Sequence, residues 1–403
     1  MAIGELCEIR MSATSSQAPV QGVVTALVDG IASVSLLGDS EGLSMDAVIL
    51  PSGELQKVHV SPVLLGCVLD AHGRTVERLD GGASVTSHPD ARSLTSPPVN
   101  YRERRSVDEP FATGIRAIDA LLSCGVGQRM GIFAPAGGGK TTLTEMLLES
   151  AIADVYVVAL VGERGREVGG FVERLRASGN AARTVIVQST SDTAPAARCS
   201  AAQMAATVAE YFRDTGCRVL LVMDSVTRYA RALRDVALAA GEPPARRGFP
   251  ASVFEALPRL LERPGRTVLG SITAFYTVLL EDEEEADAVG EEVKSLLDGH
   301  IYLSSRLAAK GHYPAIDVLR SKSRLFNEVA TPGQMEAAMR LRRDLSALDD
   351  LQFMRDMGEY KPGANAQNDA LLARESPIHA FLQQGRHERV DYAAAVEALR
   401  AFA

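Results

Sequence analysis

The chain has 403 residues, of which 46% are hydrophobic and 23% charged, a composition ordinary for a globular protein of two or three domains. The formal net charge of -9 argues against wholesale attraction to nucleic acid or anionic membrane, and a local basic patch stays possible. Five cysteines without a C-x-x-C pair, no leader-like start and no apolar run of membrane length predict a soluble cytosolic protein with reduced thiols.

Residues 1–95 carry short Val/Leu/Ile runs separated by Asp-Gly and Pro-Ser-Gly turns, which predicts a small β-barrel or sandwich. The runs are Gly22–Leu27, Ile31–Leu37, Ala47–Leu50 and Leu55–Val60, with a further strand and turn expected over Pro62–Arg74. The proline-rich and charged stretch Ser93–Pro110 is typical of a linker.

From Phe111 to about Arg324 apolar strands alternate with helical patterns, which predicts an α/β fold with a mostly parallel sheet covered on both faces. The expected strands are Met130–Phe133, Val155–Val161, Thr184–Val187, Arg218–Met223 and Thr267–Phe275. The expected helices are Thr141–Ala153, Glu167–Ser178 and Ala197–Arg213, the last ending near Gly216. Proline and glycine predict that Ala245–Leu261 is not one regular element.

After Pro332 the pattern is helical and charged, with helices expected over Met335–Ser346, Asp369–Arg374 and Tyr392–Phe402. The segment Gly358–Ala364 interrupts the helical pattern. The end of the chain is therefore predicted to form a helical domain.

A glycine-rich turn follows the strand at Met130–Phe133 and precedes a helix that opens at Lys140, the context that a phosphate-binding loop requires. Its backbone and the following helix N-terminus would hold phosphates, Lys140 would reach the β- and γ-phosphates, and Thr141 would ligate Mg²⁺. The residues expected to contact the nucleotide here are Ala136, Gly137, Gly138, Gly139, Lys140, Thr141 and Thr142. Ala134 stands where the motif has its first glycine; the alternative is a strand-to-helix turn with an incidental lysine.

Two further strands end in acidic residues, and ligands of doubly wound sheets lie at the carboxyl ends of strands. Glu163 is placed to polarise a water attacking the γ-phosphate and Arg164 to meet the phosphate charge, unless both belong to a surface cluster of salt bridges. Asp224 is expected to hold Mg²⁺ through water, or merely to cap its strand. Ser271 and Thr273 are either hydroxyl sensors of the nucleotide or packing residues.

Together these residues resemble the type III secretion system ATPases, export ATPases related to the catalytic subunit of F-type and V-type ATPases. The resemblance covers essentially the whole chain and is strongest in its middle. It is carried by Ala136–Thr141, Gly162–Glu167, Met223–Arg228, Gly241–Gly248, Gly270–Val278, Leu297–Ile301 and Gly311–Leu319.

The resemblance implies a RecA-like P-loop NTPase core at 96–330, between an N-terminal β-barrel domain at 1–95 and a C-terminal helical domain at 331–403. It also implies that Tyr313 stacks on adenine and that Arg324 is an arginine finger reaching the neighbouring subunit's site. Such proteins form homohexamers at the cytoplasmic face of the inner membrane. They engage chaperone–effector complexes, stalk and stator proteins and the export gate, and bind no nucleic acid.

Three features depart from the family: Ala134, Lys322 two residues before the finger, and the acidic run Glu281–Glu285. Ile3–Ile9 resembles sequence from within the family's N-terminal barrel, so we expect that domain to lack its first strands, to leave an edge unpaired and to form hexamers poorly.

Four other functions stay open. A flagellar export ATPase is the nearest, although Ser252–Phe254, Leu257–Glu262 and Ala274–Thr277 favour the injectisome branch. A rotary ion-pumping subunit would need a partner to supply its arginine. A ring-shaped nucleic-acid translocase would need aromatic residues in 1–95, which has none. A non-catalytic nucleotide-binding scaffold would have no use for Glu163.

Overall fold

The structure, a computed structural model, describes residues 1–10, 18–82, 90–281, 287–363 and 365–402. Within these ranges the strands are, in chain order, β1 (Glu5–Arg10), β2 (Val20–Val28), β3 (Ile31–Leu36), β4 (Val48–Leu55), β5 (Lys57–Val60), β6 (Cys67–Leu69), β7 (Thr75–Arg78), β8 (Asp90–Ser93), β9 (Pro110–Phe111), β10 (Cys124–Gly125), β11 (Arg129–Ala134), β12 (Val155–Glu163), β13 (Thr184–Thr190), β14 (Arg218–Asp224), β15 (Gly265–Arg266), β16 (Ser271–Leu279), β17 (Gly299–Leu303) and β18 (Ile316–Ser323). The helices are α1 (Arg116–Leu121), α2 (Lys140–Ser150), α3 (Gly165–Arg176), α4 (Pro195–Asp214), α5 (Val226–Ala239), α6 (Ala251–Leu261), α7 (Ala288–Leu296), α8 (Ser305–Ala309), α9 (Phe326–Val329), α10 (Pro332–Asp356), α11 (Ala366–Leu382) and α12 (Tyr392–Arg400).

The chain folds into two compact units, each built from separate stretches of sequence. The first unit contains Met1–Arg105, Ala153–Val278 and Ala286–Leu296, and the second contains Ser106–Ile152, Leu279–Glu285 and Leu297–Ala403. The division into domains at 1–95, 96–330 and 331–403 stays a prediction.

The first unit is organised around parallel strands in the order β16-β14-β12-β13-β6. All nine residues of β12 are buried, as expected for a strand covered on both faces. The alanine-rich helix α4 packs on β12, β13 and β14, and Gly216, with a φ of 95°, follows its end. The α/β fold predicted from the sequence is therefore confirmed.

The N-terminal part of this unit is a four-stranded antiparallel sheet in the order β3-β2-β1-β4, with a separate pair β5-β8. The strand expected between Pro62 and Arg74 does not join these strands. It forms β6, which pairs with β13 at the end of the parallel sheet and carries β7 as an antiparallel neighbour. Its three buried residues complete the core sheet instead of the N-terminal one.

Of two local predictions in this unit, one was wrong and one was confirmed. The strand expected from Thr267 begins only at Ser271, because Thr267 closes a turn in which its backbone N–H and its hydroxyl both donate to Gly270 O, at 2.8 and 3.0 Å. The segment Ala245–Leu261 is not one regular element, as predicted: its first six residues are irregular and the rest forms helix α6, even though Pro258 lies inside that helix. Its buried apolar face, formed by Val253, Leu257, Leu260 and Leu261, outweighs the hydrogen bond that proline cannot make.

The second unit contains the strand β11, which pairs in parallel with β17, and β18 on the other side of β17. Helix α1 packs against α10, α11 and α12, so the C-terminal segment is helical as predicted. Thr331 caps α10 by accepting from Gln334 N at 3.3 Å, and Pro332 occupies its first turn. Across the described residues, no helix is both long and apolar enough to cross a membrane.

Candidate functional site

The glycine-rich loop lies in the second unit, between β11 and α2. Gly137 and Gly139 have φ values of 77° and 88°, a left-handed conformation that favours glycine. Gly138 N donates to Pro135 O at 3.1 Å, which closes the turn, and α2 begins at Lys140 as the sequence predicts. Ala136 and Gly137 are exposed. The loop therefore has the strand–turn–helix geometry of an anion-binding site.

The side chains expected to reach the phosphates are accessible at the start of α2. Thr141 is exposed, and Lys140 and Thr142 are partly exposed. Ala134, the residue in place of the motif's first glycine, is the last residue of the extended strand β11, and its carbonyl accepts from Leu280 N at 3.0 Å. An extended strand residue does not need glycine, so this substitution is compatible with the loop.

Tyr313 lies beside the glycine-rich loop. Its ring carbons Cε1 and Cδ1 would be 3.6 and 3.9 Å from a Cβ atom built on Gly139, and 42% of the residue is exposed. An exposed aromatic ring next to a phosphate-binding turn can stack on a base whose phosphates the turn holds. The structure thus brings together Tyr313 and the loop, which are more than 170 residues apart in the sequence.

Arg324 follows β18 in the same unit, and its backbone N–H donates to Asp298 O at 2.8 Å. Arg324 and Lys322 are both exposed, whereas the alternating residues Ser321 and Ser323 are buried. The departure at Lys322 therefore adds a second basic side chain on the exposed face of this strand end.

Glu163 is the last residue of β12 in the first unit and is only 6% exposed. Its Oε2 atom lies 3.2 Å from Nη2 of Arg228, which also donates from Nη1 to Gly162 O. Gly162 has a φ of 70°, and a Cβ atom there would lie 3.2 Å from Arg228 Cβ and Cδ. Arg228 thus holds the carboxylate and the backbone before it. The sequence reasoning gave Arg228 no role, although it stands four residues after Asp224 in a quoted motif.

Asp224 ends β14, the parallel neighbour of β12, and is also 6% exposed. Its Oδ1 atom accepts a hydrogen bond of 2.8 Å from the hydroxyl of Thr277, which also contacts Met223 O at 3.3 Å. Glu163 and Asp224 therefore lie at the same carboxyl edge of the sheet, as predicted.

The hydroxyl that donates to Asp224 belongs to Thr277, and not to Ser271 or Thr273, which the sequence predicts to be either nucleotide sensors or packing residues. Ser271 pairs in register with Arg218 and Thr273 with Leu220, toward the amino end of β14. This register places Ser271 and Thr273 away from Asp224, which ends β14. Both side chains are buried, which agrees with the packing alternative.

Arg164 lies at the N-cap position of α3, with 76% of its side chain exposed and Nη1 3.9 Å from Glu167 Oε1. An exposed pair of this kind contributes little to stability, so the arginine is available to a ligand at low cost.

Taken separately, the two residues expected to hold Mg²⁺ each offer an oxygen atom of a kind that this ion accepts. Asp224 presents a buried carboxylate oriented by Thr277, and Thr141 presents an exposed hydroxyl. Magnesium is usually held by one or two carboxylates together with substrate phosphates and waters. Among the described residues, no group of three or more His, Cys, Asp or Glu side chains is arranged so that it could hold a metal ion.

The fold and these residues define a P-loop nucleotide-binding protein, and comparison with known proteins gives the same class. Residues 114–323 match the nucleotide-binding domain of the ATP synthase alpha/beta family, and residues 330–401 match the T3SS EscN ATPase C-terminal domain.

Three relatives illustrate the similarity. The SPI-1 type 3 secretion system ATPase of Salmonella typhi is 52% identical over 100% of this chain and 93% of its own length. The flagellum-specific ATP synthase of Treponema pallidum is 40% identical over 98% of this chain and 88% of its own length. EscN of enteropathogenic E. coli is 40% identical to this chain in sequence. The structures of assembled EscN and of its complex with the central stalk EscO each match 100% of this chain and 95% of the EscN chain, with TM-scores of 0.92 and 0.89. The chain belongs to the type III secretion system ATPase family and is an ATPase.

Proposed function

We propose that this protein hydrolyses Mg-ATP as a homohexameric ring and thereby drives the release of chaperones, the unfolding and the export of effector proteins. The observation that carries the catalytic part is the buried carboxylate of Glu163, held by Arg228 at the carboxyl edge of the sheet. A non-catalytic nucleotide-binding scaffold would gain nothing from a fixed carboxylate at this edge.

Each proposed residue has one role. Lys140 and the backbone of Ala136–Thr142 hold the phosphates, and Glu163 orients the attacking water. Arg164 and the neighbouring subunit's Arg324 meet the charge that develops in the transition state. Bound Mg²⁺, held by Thr141 and through water by Asp224, would neutralise phosphate charge. Tyr313 binds the adenine ring.

The proposed partners follow from the similarity to EscN, which has been solved both assembled and with its central stalk. By that similarity this chain contacts copies of itself and a stalk protein. Chaperone–effector complexes, stator proteins and an export gate at the inner membrane complete the proposed set, with the ATPase on the cytoplasmic side. The injectisome branch is favoured over the flagellar one by the 52% identity to the Salmonella protein, against 40% to the Treponema protein.

The test is Glu163→Gln, which keeps the side-chain size and removes the basic carboxylate. We expect ATP binding to persist while turnover falls about 10²–10⁴-fold, the usual contribution of a positioned general base. Glu173→Gln, an exposed substitution on α3, serves as the matched control and should hydrolyse ATP at the original rate. A Glu163→Gln protein that binds and hydrolyses ATP like the unsubstituted chain contradicts the assignment.

A further inference from the structure

Tyr313 is anchored through its backbone by a segment that lies 70 residues further along the chain. Gln384 N donates to Tyr313 O at 2.9 Å. Gln384 belongs to residues 383–389, which lie in the connection between α11 and α12 and are here named the clasp segment. Because 42% of Tyr313 is exposed, packing constrains its ring only in part. The hydrogen bond from Gln384 is therefore one of the contacts that fix the backbone from which this ring extends.

The side chain of Gln384 is 5% exposed and fully used in hydrogen bonds. Its Oε1 atom accepts from Arg116 N at 2.7 Å, and Nε2 donates to Gly114 O and Glu388 O, both at 2.8 Å. With both amide hydrogens and the amide oxygen satisfied, Gln384 has one well-defined position at the start of α1.

The turn at Thr113 and Gly114, to which Gln384 bonds, is held by hydrogen bonds to Asp119. Asp119 is fully buried, and its carboxyl accepts from Thr113 N at 3.0 Å, Thr113 Oγ1 at 2.7 Å and Gly114 N at 3.0 Å. The bond from Gln384 to Gly114 O therefore connects the Tyr313 backbone to a fixed point of the core.

The clasp segment also reaches the helix that carries the phosphate loop. Arg386 pairs with Glu145, and His387 Nδ1 lies 3.1 Å from Glu149 Oε2, both glutamates being on α2. One short segment thus contacts both the backbone of the aromatic residue and the helix whose first turn presents Lys140 and Thr141.

We propose that Gln384 is a positioning residue for nucleotide binding, which holds the ring of Tyr313 beside the phosphate loop so that it can stack on adenine. The proposal rests on the proposed function, because it takes Tyr313 as the residue that stacks on adenine. Gln384 acts through the backbone of Tyr313 and does not itself touch the nucleotide.

The test measures kcat and KM for ATP in Gln384→Ala, Tyr313→Ala and the double variant, with thermal unfolding as a control for folding. Removal of the amide leaves Arg116 N, Gly114 O and Glu388 O without this partner. We expect Gln384→Ala to raise KM about tenfold, the effect of one lost interaction of ordinary strength, with kcat within about twofold of the original. In the Tyr313→Ala background the same change should alter KM less than about twofold, because the ring it positions is gone.

Gln367→Ala, at the exposed start of α11, is the matched control and should leave both constants unchanged. If Gln384→Ala does not fold, Gln384→Glu replaces it: the acceptor for Arg116 N is kept and the donor to Gly114 O is lost, so KM should rise to a smaller extent.

The inference is overturned if KM stays unchanged, if kcat falls alone, or if KM rises by the same factor in both backgrounds. Those three outcomes leave the adenine assignment intact as long as Tyr313→Ala itself raises KM. A Tyr313→Ala protein with unchanged KM overturns the adenine assignment in the proposed function, and the inference with it.

Discussion

Arg228 is the residue whose replacement probes most sharply how the proposed catalytic carboxylate is held. The change Arg228→Met keeps much of the side-chain volume and removes two interactions, the ion pair with Glu163 and the hydrogen bond to Gly162 O. Glu163, of which only 6% is exposed in the original chain, then loses the cation next to it. We expect the carboxylate to leave its position at the end of β12.

The magnitude follows from those two contacts. Hydrogen bonds to charged groups contribute about 1.5–3 kcal/mol each, and 24% exposure of the arginine side chain places this pair toward the low end. The two contacts together contribute about 3 kcal/mol to holding Glu163 in position, and the loss of that amount from transition-state stabilisation lowers turnover roughly 10²-fold. Binding of ATP should change little, because Arg228 is not assigned to the phosphates or the base.

The assay compares kcat and the affinity for a non-hydrolysable ATP analogue. Arg228→Lys should recover part of the activity, since a lysine can replace the ion pair but cannot make both contacts in the same geometry. Arg259→Met, an exposed arginine on α6, is the control. Turnover of Arg228→Met within twofold of the original, or a loss matched by an equal loss of analogue binding, refutes the reasoning.

Two further predictions concern stability. Arg263 and Glu210 form a buried ion pair, with Nε and Oε1 2.9 Å apart. Arg263→Met alone should therefore lower the free energy of unfolding by about 3–5 kcal/mol, because it leaves a buried charge without its partner, and Arg263→Met with Glu210→Met should recover most of that loss. Denaturant titration measures the free energy of unfolding of both variants. Burial raises the pKa of Asp119 to about 7, against an unfolded value near 3.9, so the folded chain favours the protonated carboxyl. The stability that this preference contributes is complete below pH ~4 and is lost as the pH rises to about 7. The difference in unfolding free energy between the original chain and Asp119→Asn should therefore fall from pH 4 to 7 and then stay constant. A difference that does not change across that interval contradicts the raised pKa of Asp119.

Much of the fold was predictable because its signals are local. Strands β11, β12, β13 and β14 are apolar runs that only a buried sheet accommodates, and the glycine-rich loop follows β11 at the spacing its geometry requires. Asp224 and Glu163 were found because they directly follow such runs.

The features missed depend on contacts between distant segments. Thr277 contacts Asp224 because of the register in which β14 and β16 pair, and the residue pattern of neither strand predicts that register. Arg228 reaches Glu163 because α5, the helix that carries it, packs against β12. Helix α6 continues through Pro258 because its apolar side is buried, a tertiary effect that local propensity does not contain.

The central claim is that each site takes its carboxylate from one chain and its arginine from the next. The direct measurement is ATP turnover after mixing Glu163→Gln protein with Arg324→Ala protein, each nearly inactive alone. In rings assembled from equal amounts, about a quarter of the interfaces should combine an intact Glu163 with an intact Arg324 from the neighbour, so roughly that share of the original activity should return. If the mixture, with subunit exchange verified, is no more active than its components, the arginine does not act in the neighbouring subunit's site.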